Sequence, residues 1–208
     1  MTLRIIFTIM LMAFAGGVNG NAEPDKKSPE LLEPGVGREL ARYRAAHYSN
    51  VRYALTIDVA PGAAMIVGTE EIRVTLDKGA GELVLDWRVA AAKEGGQQAR
   101  VWEIQANGRA VTDARAVNDH LVIPGSYLVK GENTLRLRFE SPIAASGSAV
   151  TRYMDREDNS EYIYTLFVPS DASTAFPCFD QPDLKARFQL NLTTLTSWKA
   201  ISNGDAET

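Results

Sequence analysis

The residues with the greatest capacity for chemistry lie between positions 165 and 183, in the stretch TLFVPSDASTAFPCFDQPD. This stretch contains several aspartates and the only cysteine of the chain, Cys178. Carboxylates can act as acids, bases or metal ligands, and a thiolate can act as a nucleophile. Because Cys178 stands between Pro177 and Phe179, we predict a buried, small apolar side chain there rather than a reactive thiol.

Other potential catalytic groups form no recognisable set. The chain has two histidines, His47 and His120, and neither has the spacing of a metal-ligand motif such as HExxH. We predict that His120 is a surface or edge side chain beside a strand. Glu70 and Glu71 are adjacent in a strand pattern, so they must point to opposite faces and cannot act together. The residues alone therefore predict no catalytic group and no metal ligand.

An acidic run, MDREDNSE at positions 154 to 161, invites comparison with a calcium loop. It lacks the spaced ligands and the central glycine that a calcium loop requires. We therefore interpret it as a solvated loop. The chain also lacks a G-x-S-x-G motif, so no nucleophile elbow is indicated.

The elements that position these residues are mostly strands. VGRELARYRAAHY has helical spacing and predicts one short N-terminal helix. From Val51 onward, apolar and polar residues alternate, and Asn107-Gly108 predicts a two-residue hairpin turn. Strand patterns recur roughly every 8 to 15 residues. Residues 36–208 are therefore predicted to form an all-β domain, an antiparallel β-sandwich or open barrel with one short helix.

The N-terminal residues have a different character. Residues 1–22 contain Arg4, an apolar run and then small residues, which is the order of a secretory signal peptide. This pattern predicts export to the periplasm or the extracellular space. The alternative is an N-terminal membrane anchor that is never cut, although the apolar run is short for a span. Residues 23–35 are rich in proline and charge and are interpreted as a mobile lead-in.

The overall composition limits the possible partners and the sources of stability. The formal net charge is -4, and no run of lysine and arginine supplies phosphate contacts, so no nucleic-acid partner is predicted. A single cysteine cannot form an internal disulfide. The fold must therefore be stabilised by its hydrophobic core.

The stretch YIYTLFVPSDASTAFPCFDQPDLKARF resembles a signature of the aminopeptidase N family of zinc metallopeptidases, T-Q-F-E-P-T-D-A-R-x-A-F-P-C-F-D-E-P-x-x-K-A-x-F. The resemblance extends more loosely upstream, where VRYALTIDVAPGAAMIVGTEEIRV looks like the first two long strands of that family. The positions that match the signature are Thr165, Phe167, Pro169, Asp171, Ala172, Ala175, Phe176, Pro177, Cys178, Phe179, Asp180, Pro182, Lys185, Ala186 and Phe188.

This resemblance implies both a fold and a function. In the family, the corresponding region is a saddle-shaped, all-β N-terminal domain that forms one wall of the substrate cleft. It lies against a catalytic domain that contains the GAMEN and HExxH motifs and the zinc. The chain is therefore expected to be an N-terminal fragment, truncated near the end of this domain, of a peptidase that removes N-terminal residues from peptides. Its expected partners are that catalytic domain and peptide substrates, and zinc is expected only in the catalytic domain.

Two positions depart from the family signature. The resemblance implies a Gln and a Glu that hold the free amine of the substrate, but Leu166 and Val168 stand at those positions. Neither side chain can accept a hydrogen bond from an amine. If this side of the strand faces the cleft, the cleft wall is apolar at Leu166 and Val168.

The rest of the signature is interpreted as structural. We predict that Pro169 ends a strand, that Asp171 caps the following turn, and that Asp180 accepts hydrogen bonds from loop N–H groups. The remaining members of this structural motif are predicted to form a compact corner: Phe176, Pro177, Cys178, Phe179 and Pro182.

Two alternative functions remain open at this stage. The chain could be a non-catalytic β-sandwich domain that binds peptides or acts as an adaptor. The parent protein could also be a relative that has lost peptidase activity, as the residues at Leu166 and Val168 suggest. Chelator-sensitive cleavage of an aminoacyl reporter by the full-length protein would exclude this second alternative.

Overall fold

The computed structural model describes residues 32–77, 81–89 and 98–204, and the all-β class predicted from the sequence is confirmed. The predicted signal peptide, residues 1–22, lies outside the described residues. The predicted short helix is present as α1 (Arg38–His47). The strands are β1 (Tyr48–Asp58), β2 (Met65–Leu76), β3 (Leu83–Asp86), β4 (Arg100–Ala106), β5 (Arg109–Ala110), β6 (Arg115–Val117), β7 (His120–Ile123), β8 (Gly131–Pro142), β9 (Val150–Met154), β10 (Glu161–Thr165) and β11 (Ala186–Thr193).

The described strands form three sheets. The largest has the order β11-β1-β2-β8-β4-β5, and its centre is the long antiparallel pair β2 and β8. A second sheet has the order β3-β7-β6, and the third is the β9–β10 hairpin. All these pairs are antiparallel except β1 with β11, which is parallel. The parallel pair differs from the purely antiparallel sheet that the strand pattern predicted.

The core forms where the alternating strands turn their apolar faces to one another. Along β2, Ile72 and Val74 are fully buried, and along β8, Leu135 and Phe139 are fully buried. This follows from the period of two in a strand, which places every second residue on the same face. The corner after β10 adds Phe176 to the same hydrophobic cluster. One continuous core therefore joins the large sheet to the corner that resembles the family signature.

Helix α1 lies against the three-stranded sheet through one buried stripe. Leu40 packs in a small cluster with Leu32, Val84 and Val122. Leu32 belongs to the predicted lead-in, and its carbonyl oxygen accepts a hydrogen bond from the Asn118 side chain (2.9 Å). The end of the lead-in thus packs on the sheet, and its residues before Leu32 lie outside the described part of the chain.

Two other observations bear on the sequence predictions. The hairpin predicted at Asn107-Gly108 joins β4 to β5, and both turn residues have positive φ angles (52° and 76°), as a primed two-residue turn requires. In the described part of the chain, no helix is long and apolar enough to cross a membrane.

Candidate functional site

The positions of the expected amine-binding residues lie just after β10. Leu166 is 58% exposed and Val168 is 74% exposed. Phe167, between them, turns inward and packs edge-on against Phe176, with ring centroids 5.7 Å apart. The chain therefore presents two adjacent apolar side chains to solvent on one side. Strand β10 ends at Thr165, so the prediction that Pro169 ends the strand was wrong by several residues.

The corner itself is a buried loop tied to strand β3. Cys178 forms an isolated bridge with Asp86, in which each backbone N–H donates to the other residue's carbonyl oxygen (2.7 and 3.0 Å). The Phe179 N–H donates to the Tyr53 hydroxyl (2.9 Å), and the Ser141 hydroxyl donates to the Ala175 carbonyl (2.6 Å). These contacts satisfy the backbone groups that burial removes from water.

Cys178 is buried, as predicted, and its thiol forms no disulfide. Burial raises the pKa of this thiol well above its ordinary value of 9.0, and the nearby carboxylate of Asp180 raises it further. A thiol in this state is protonated at neutral pH and is a poor nucleophile. Cys178 therefore acts as a packing residue.

Asp86 is the centre of a buried ionic network. The guanidinium of Arg44 donates two hydrogen bonds to the Asp86 carboxylate, at 2.8 and 2.7 Å, and a third to the Val84 carbonyl at 2.9 Å. The Asp180 N–H donates to the same carboxylate at 2.8 Å. Burial raises the pKa of Asp86, but the hydrogen bonds from His120 and Arg44 outweigh this effect and lower it below 3.8. Asp86 thus holds α1, β3 and the corner together.

His120 belongs to this network, and the prediction that it is a surface side chain was wrong. Its side chain is fully buried. Its Nδ1 lies 3.0 Å from the Asp86 carboxylate, and its Nε2 lies 2.9 Å from the Glu33 carbonyl oxygen. Both partners are acceptors, so the ring binds them best when both nitrogens are protonated. Burial lowers the pKa of His120, but the bonds to Asp86 and to the Glu33 carbonyl raise it above 6.5.

The two aspartates of the signature, Asp171 and Asp180, have different roles from each other. The Asp180 carboxylate accepts a hydrogen bond from the Ser173 N–H (3.1 Å), which is the loop contact the sequence predicted. Asp171 precedes the short 3-10 helix Ala172–Thr174, but its side chain makes no capping bond. The Asp171 carboxylate instead forms an ion pair with Arg88. The predicted side-chain cap was therefore wrong, because a cation lies within reach and competes for that carboxylate.

Glu70 and Glu71 point to opposite faces of β2, as predicted. Glu71 pairs with Arg73 and Arg136 at the surface. Glu70 is 2% exposed, and neither of its carboxyl oxygens has a hydrogen-bond partner among the described residues. Burial raises the pKa of Glu70 well above its ordinary value of 4.5, because the charged carboxylate loses its contact with water.

A cleft of about 360 Å³ lies between the corner and the end of the lead-in. Its walls include Val36, Arg88, Asp119, Ser173 and Asp180. Within the described ranges, no three His, Cys, Asp or Glu side chains come together in a way that could hold a metal ion.

Sequence reasoning missed the network of Asp86, Arg44 and His120. One signal was available: Asp86 is the single charge at the end of the apolar run LVLDW, and a lone charge in a buried strand requires a partner. The partners of Asp86 could not be predicted from the sequence, because Arg44 and His120 come from distant parts of the chain. Nothing in the local sequence distinguishes a buried histidine from an exposed one.

The chain is similar to known proteins both in sequence and in fold. The family model described as the Peptidase M1 N-terminal domain matches residues 47–208, and the chain belongs to this family. It is 32% identical over 169 residues to aminopeptidase N of Streptomyces lividans, and the aligned region covers 80% of this chain. It is 30% identical over 142 residues to probable M1 family aminopeptidase 1 of Encephalitozoon cuniculi, which covers 67% of this chain. The chain spans 18% and 16% of the lengths of these relatives.

A solved structure supports the same fold. The chain superimposes on an M1 zinc metallopeptidase from Deinococcus radiodurans with a TM-score of 0.59 and 22% sequence identity. The match covers 78% of this chain and 36% of that protein. At this identity the likeness concerns the fold. The motif-based resemblance and the family model lead to the same N-terminal domain, and the solved structure supports its fold.

Proposed function

We propose that this chain is the N-terminal domain of an exported zinc aminopeptidase and that it forms one wall of the substrate cleft of that enzyme. The observation that carries the proposal is the exposed pair Leu166 and Val168, held at the end of β10 by the buried corner. These are the positions at which the family signature places its amine-binding residues. The names of the relatives, which are M1 aminopeptidases, support the same reaction.

Catalysis would be carried out by the rest of the parent protein. The relatives are much longer than this chain, and the described residues provide no metal-ligand set. The zinc would be held by a catalytic domain that lies against this one. In that domain, it would polarise the peptide carbonyl and activate water. The residues of this chain would contribute binding surface and exclude water from the cleft.

The apolar wall has a consequence for substrate selection. A substrate ammonium at Leu166 and Val168 would meet no hydrogen-bond acceptor on these side chains. Two carboxylates of the neighbouring sequence are engaged in ion pairs, since Asp171 pairs with Arg88 and Glu161, at the start of β10, pairs with Arg152. We therefore expect this wall to contact the apolar part of the N-terminal residue. A different group of the parent protein would then bind the amine.

The test uses the full-length parent protein and an aminoacyl reporter substrate. We expect hydrolysis that is lost with a zinc chelator and restored by zinc. The double variant Leu166→Gln, Val168→Glu should lower KM for free-amine substrates by about tenfold, because it adds charge-assisted acceptors. Leu195→Gln is a matched control, because Leu195 is 53% exposed but lies beyond β11. A purified parent that shows no zinc-dependent cleavage would overturn the proposal and favour a binding or adaptor role.

Export is tested separately. Residues 1–22 would be fused to a reporter enzyme that is active only after it leaves the cytoplasm. Activity of this fusion, and its loss when charges interrupt the apolar run from Ile5 to Ala15, are the expected results. An inactive fusion would remove export from the proposal and leave the peptidase assignment unaffected.

A further inference from the structure

We propose that the open edge of β10 is a binding edge that takes an extended peptide segment as an added strand. This inference goes beyond the proposed peptidase role, because strand addition requires neither zinc nor a catalytic domain. In such binding, main-chain hydrogen bonds provide affinity, and alternate side chains provide selectivity. The backbone, the side chains and the charges of the β9–β10 hairpin each support it.

The backbone of β10 has free hydrogen-bonding groups on one side. β10 pairs with β9 alone, and no described strand lies along its other edge. The Leu166 N–H donates to the Ala149 carbonyl at 3.0 Å. In an antiparallel pair the bonded residues alternate, so the backbone of Tyr164 also faces β9, whereas that of Ile163 and Thr165 faces outward. Among the described residues, none pairs with these outward N–H and C=O groups.

Exposed apolar side chains lie beside this edge. Tyr162 and Tyr164 of β10 and Leu166 just after it are spaced by two residues and are 50%, 51% and 58% exposed, and Val168, in the turn that follows, is 74% exposed. Tyr153 of β9 lies directly opposite Tyr162, with ring centroids 6.2 Å apart. An added strand would place its own alternate side chains beside these. Aromatic pairs and aromatic–β-branched pairs across strands stabilise a sheet.

Two of the features by which proteins prevent strand addition, proline and lysine, are absent from β10. The sequence of β10 is EYIYT. Its one charge, Glu161, is engaged by Arg152 at 2.6 Å and by the Gly62 N–H at 3.1 Å. These contacts fix the hairpin against the turn between β1 and β2. The edge is therefore held in a conformation that is ready to pair.

The charges at the hairpin tip indicate which end of the peptide lies there. The tip carries Asp155, Glu157 and Asp158 and one cation, Arg156. A basic residue in the bound segment would be attracted to this end of the edge. Antiparallel pairing is slightly more stable than parallel pairing, and an antiparallel segment would have its C-terminal end at the tip. The partner is thus an extended peptide with alternating aromatic or aliphatic residues and a basic C-terminal end.

The experiment uses the whole chain and a fluorescein-labelled, N-acetylated nonapeptide. The peptide has phenylalanine or valine at alternate positions, threonine between them, and lysines at its C-terminus. We expect saturable binding by fluorescence anisotropy and slower hydrogen exchange at the Ile163 and Thr165 amides. Methylation of alternate peptide nitrogens on the pairing edge should weaken binding about tenfold or more. Equal binding of the methylated peptide would overturn strand addition and indicate only an adhesive apolar surface.

Protein variants locate the site. Tyr164→Ser should weaken binding about tenfold, whereas Leu190→Ser, a comparably exposed change on the edge strand β11, should leave it unchanged. Glu157→Lys with Asp158→Lys should reverse the preference from a basic to an acidic C-terminal end. The proposal is wrong if Leu190→Ser has the larger effect. It is also wrong if the chain binds no peptide but forms a dimer in sedimentation that Tyr164→Ser dissociates, because a second copy would then be the occupant.

Discussion

At the scale of single residues, the largest electrostatic effect is expected at Asp86. Its carboxylate faces Arg44, whose side chain is fully buried, and also His120. Asp86→Asn would leave the buried guanidinium without its counter-charge. Loss of one partner of a buried pair typically costs about 3–5 kcal/mol. We expect a decrease of this size in the free energy of unfolding, measured with urea at pH 7.

A surface ion pair provides the matched control for Asp86. Arg52 and Glu132 pair with side chains 46% and 45% exposed. Glu132→Gln should cost less than about 1 kcal/mol, because solvent screens exposed pairs. Equal effects of Asp86→Asn and Glu132→Gln would show that the buried network does not hold α1 and the corner in place.

Glu70 is expected to make stability depend on pH. Its folded-state pKa is raised well above 4.5 by burial, so the folded chain binds a proton that the unfolded chain releases above that pH. Stability should therefore fall as pH rises from about 4.5 toward the raised value. Glu70→Met removes both the titration and the unpaired polar atoms, and it should stabilise the protein by about 1–3 kcal/mol at pH 7. Urea unfolding between pH 4 and 8 measures both effects.

Glu70→Gln separates the charge from the polarity. It retains buried polar atoms but cannot ionise, so it should lose the pH dependence and gain less stability than Glu70→Met. The advantage of Glu70→Met over the natural sequence should shrink as pH falls toward 4. If that advantage is the same at pH 4 and pH 8, the carboxyl does not titrate with a raised pKa.

At the scale of elements, the close pairing of β2 and β8 depends on Gly68. Gly68 lies directly opposite Phe139, and a Cβ at this position would lie 2.4 Å from the Phe139 ring atom Cζ. The ring is fully buried and cannot move away freely. Gly68→Ala should therefore destabilise the chain by about 1–3 kcal/mol. Thermal and urea unfolding would both report the change.

Two further variants test this explanation. Gly204→Ala is the control, because a Cβ there has no atom within 4 Å, and it should change stability by less than about 0.5 kcal/mol. Adding Phe139→Leu to Gly68→Ala should cost less than the sum of the two single changes, because it creates the space that alanine needs. Strict additivity of the two would contradict a steric cause.

Local elements of this fold were predictable from the sequence, and long-range pairings were not. The strand alternation in β1, β2 and β8 and the turn at Asn107-Gly108 were predictable because they depend on residues close in sequence. The parallel pairing of Val51 with Ala186 was not, because it joins distant segments. The burial of His120 beside Asp86 was not predictable for the same reason, because the two residues lie far apart in the sequence. The corner could be predicted from the sequence only because its residues resemble a family signature.

At the scale of the whole molecule, the corner and the large sheet share one core, centred on Phe176. The Phe176 ring lies 6.3 Å from the Tyr53 ring, 6.5 Å from Phe139 and 5.7 Å from Phe167, measured between centroids. Phe176→Ala would open a cavity among these side chains. Replacing a buried Phe by Ala costs about 3–5 kcal/mol. Because the cluster joins β1, β8 and the corner, we expect the whole chain to unfold at lower urea in a single transition.

Phe176→Ala should unfold in one transition that two independent probes report together. In a background with Trp102→Phe and Trp198→Phe, fluorescence reports Trp87, which is 4% exposed beside the corner. This fluorescence and the far-ultraviolet circular dichroism of the sheets should shift together. Ile201→Ala is the control, because Ile201 is 86% exposed and should change stability by less than about 0.5 kcal/mol. If fluorescence shifts and circular dichroism does not, the corner unfolds as a separate unit. In that case the buried contacts of Phe176 would not hold Leu166 and Val168 in a fixed position relative to the large sheet, and the rigid wall of the proposed cleft would lose its structural basis.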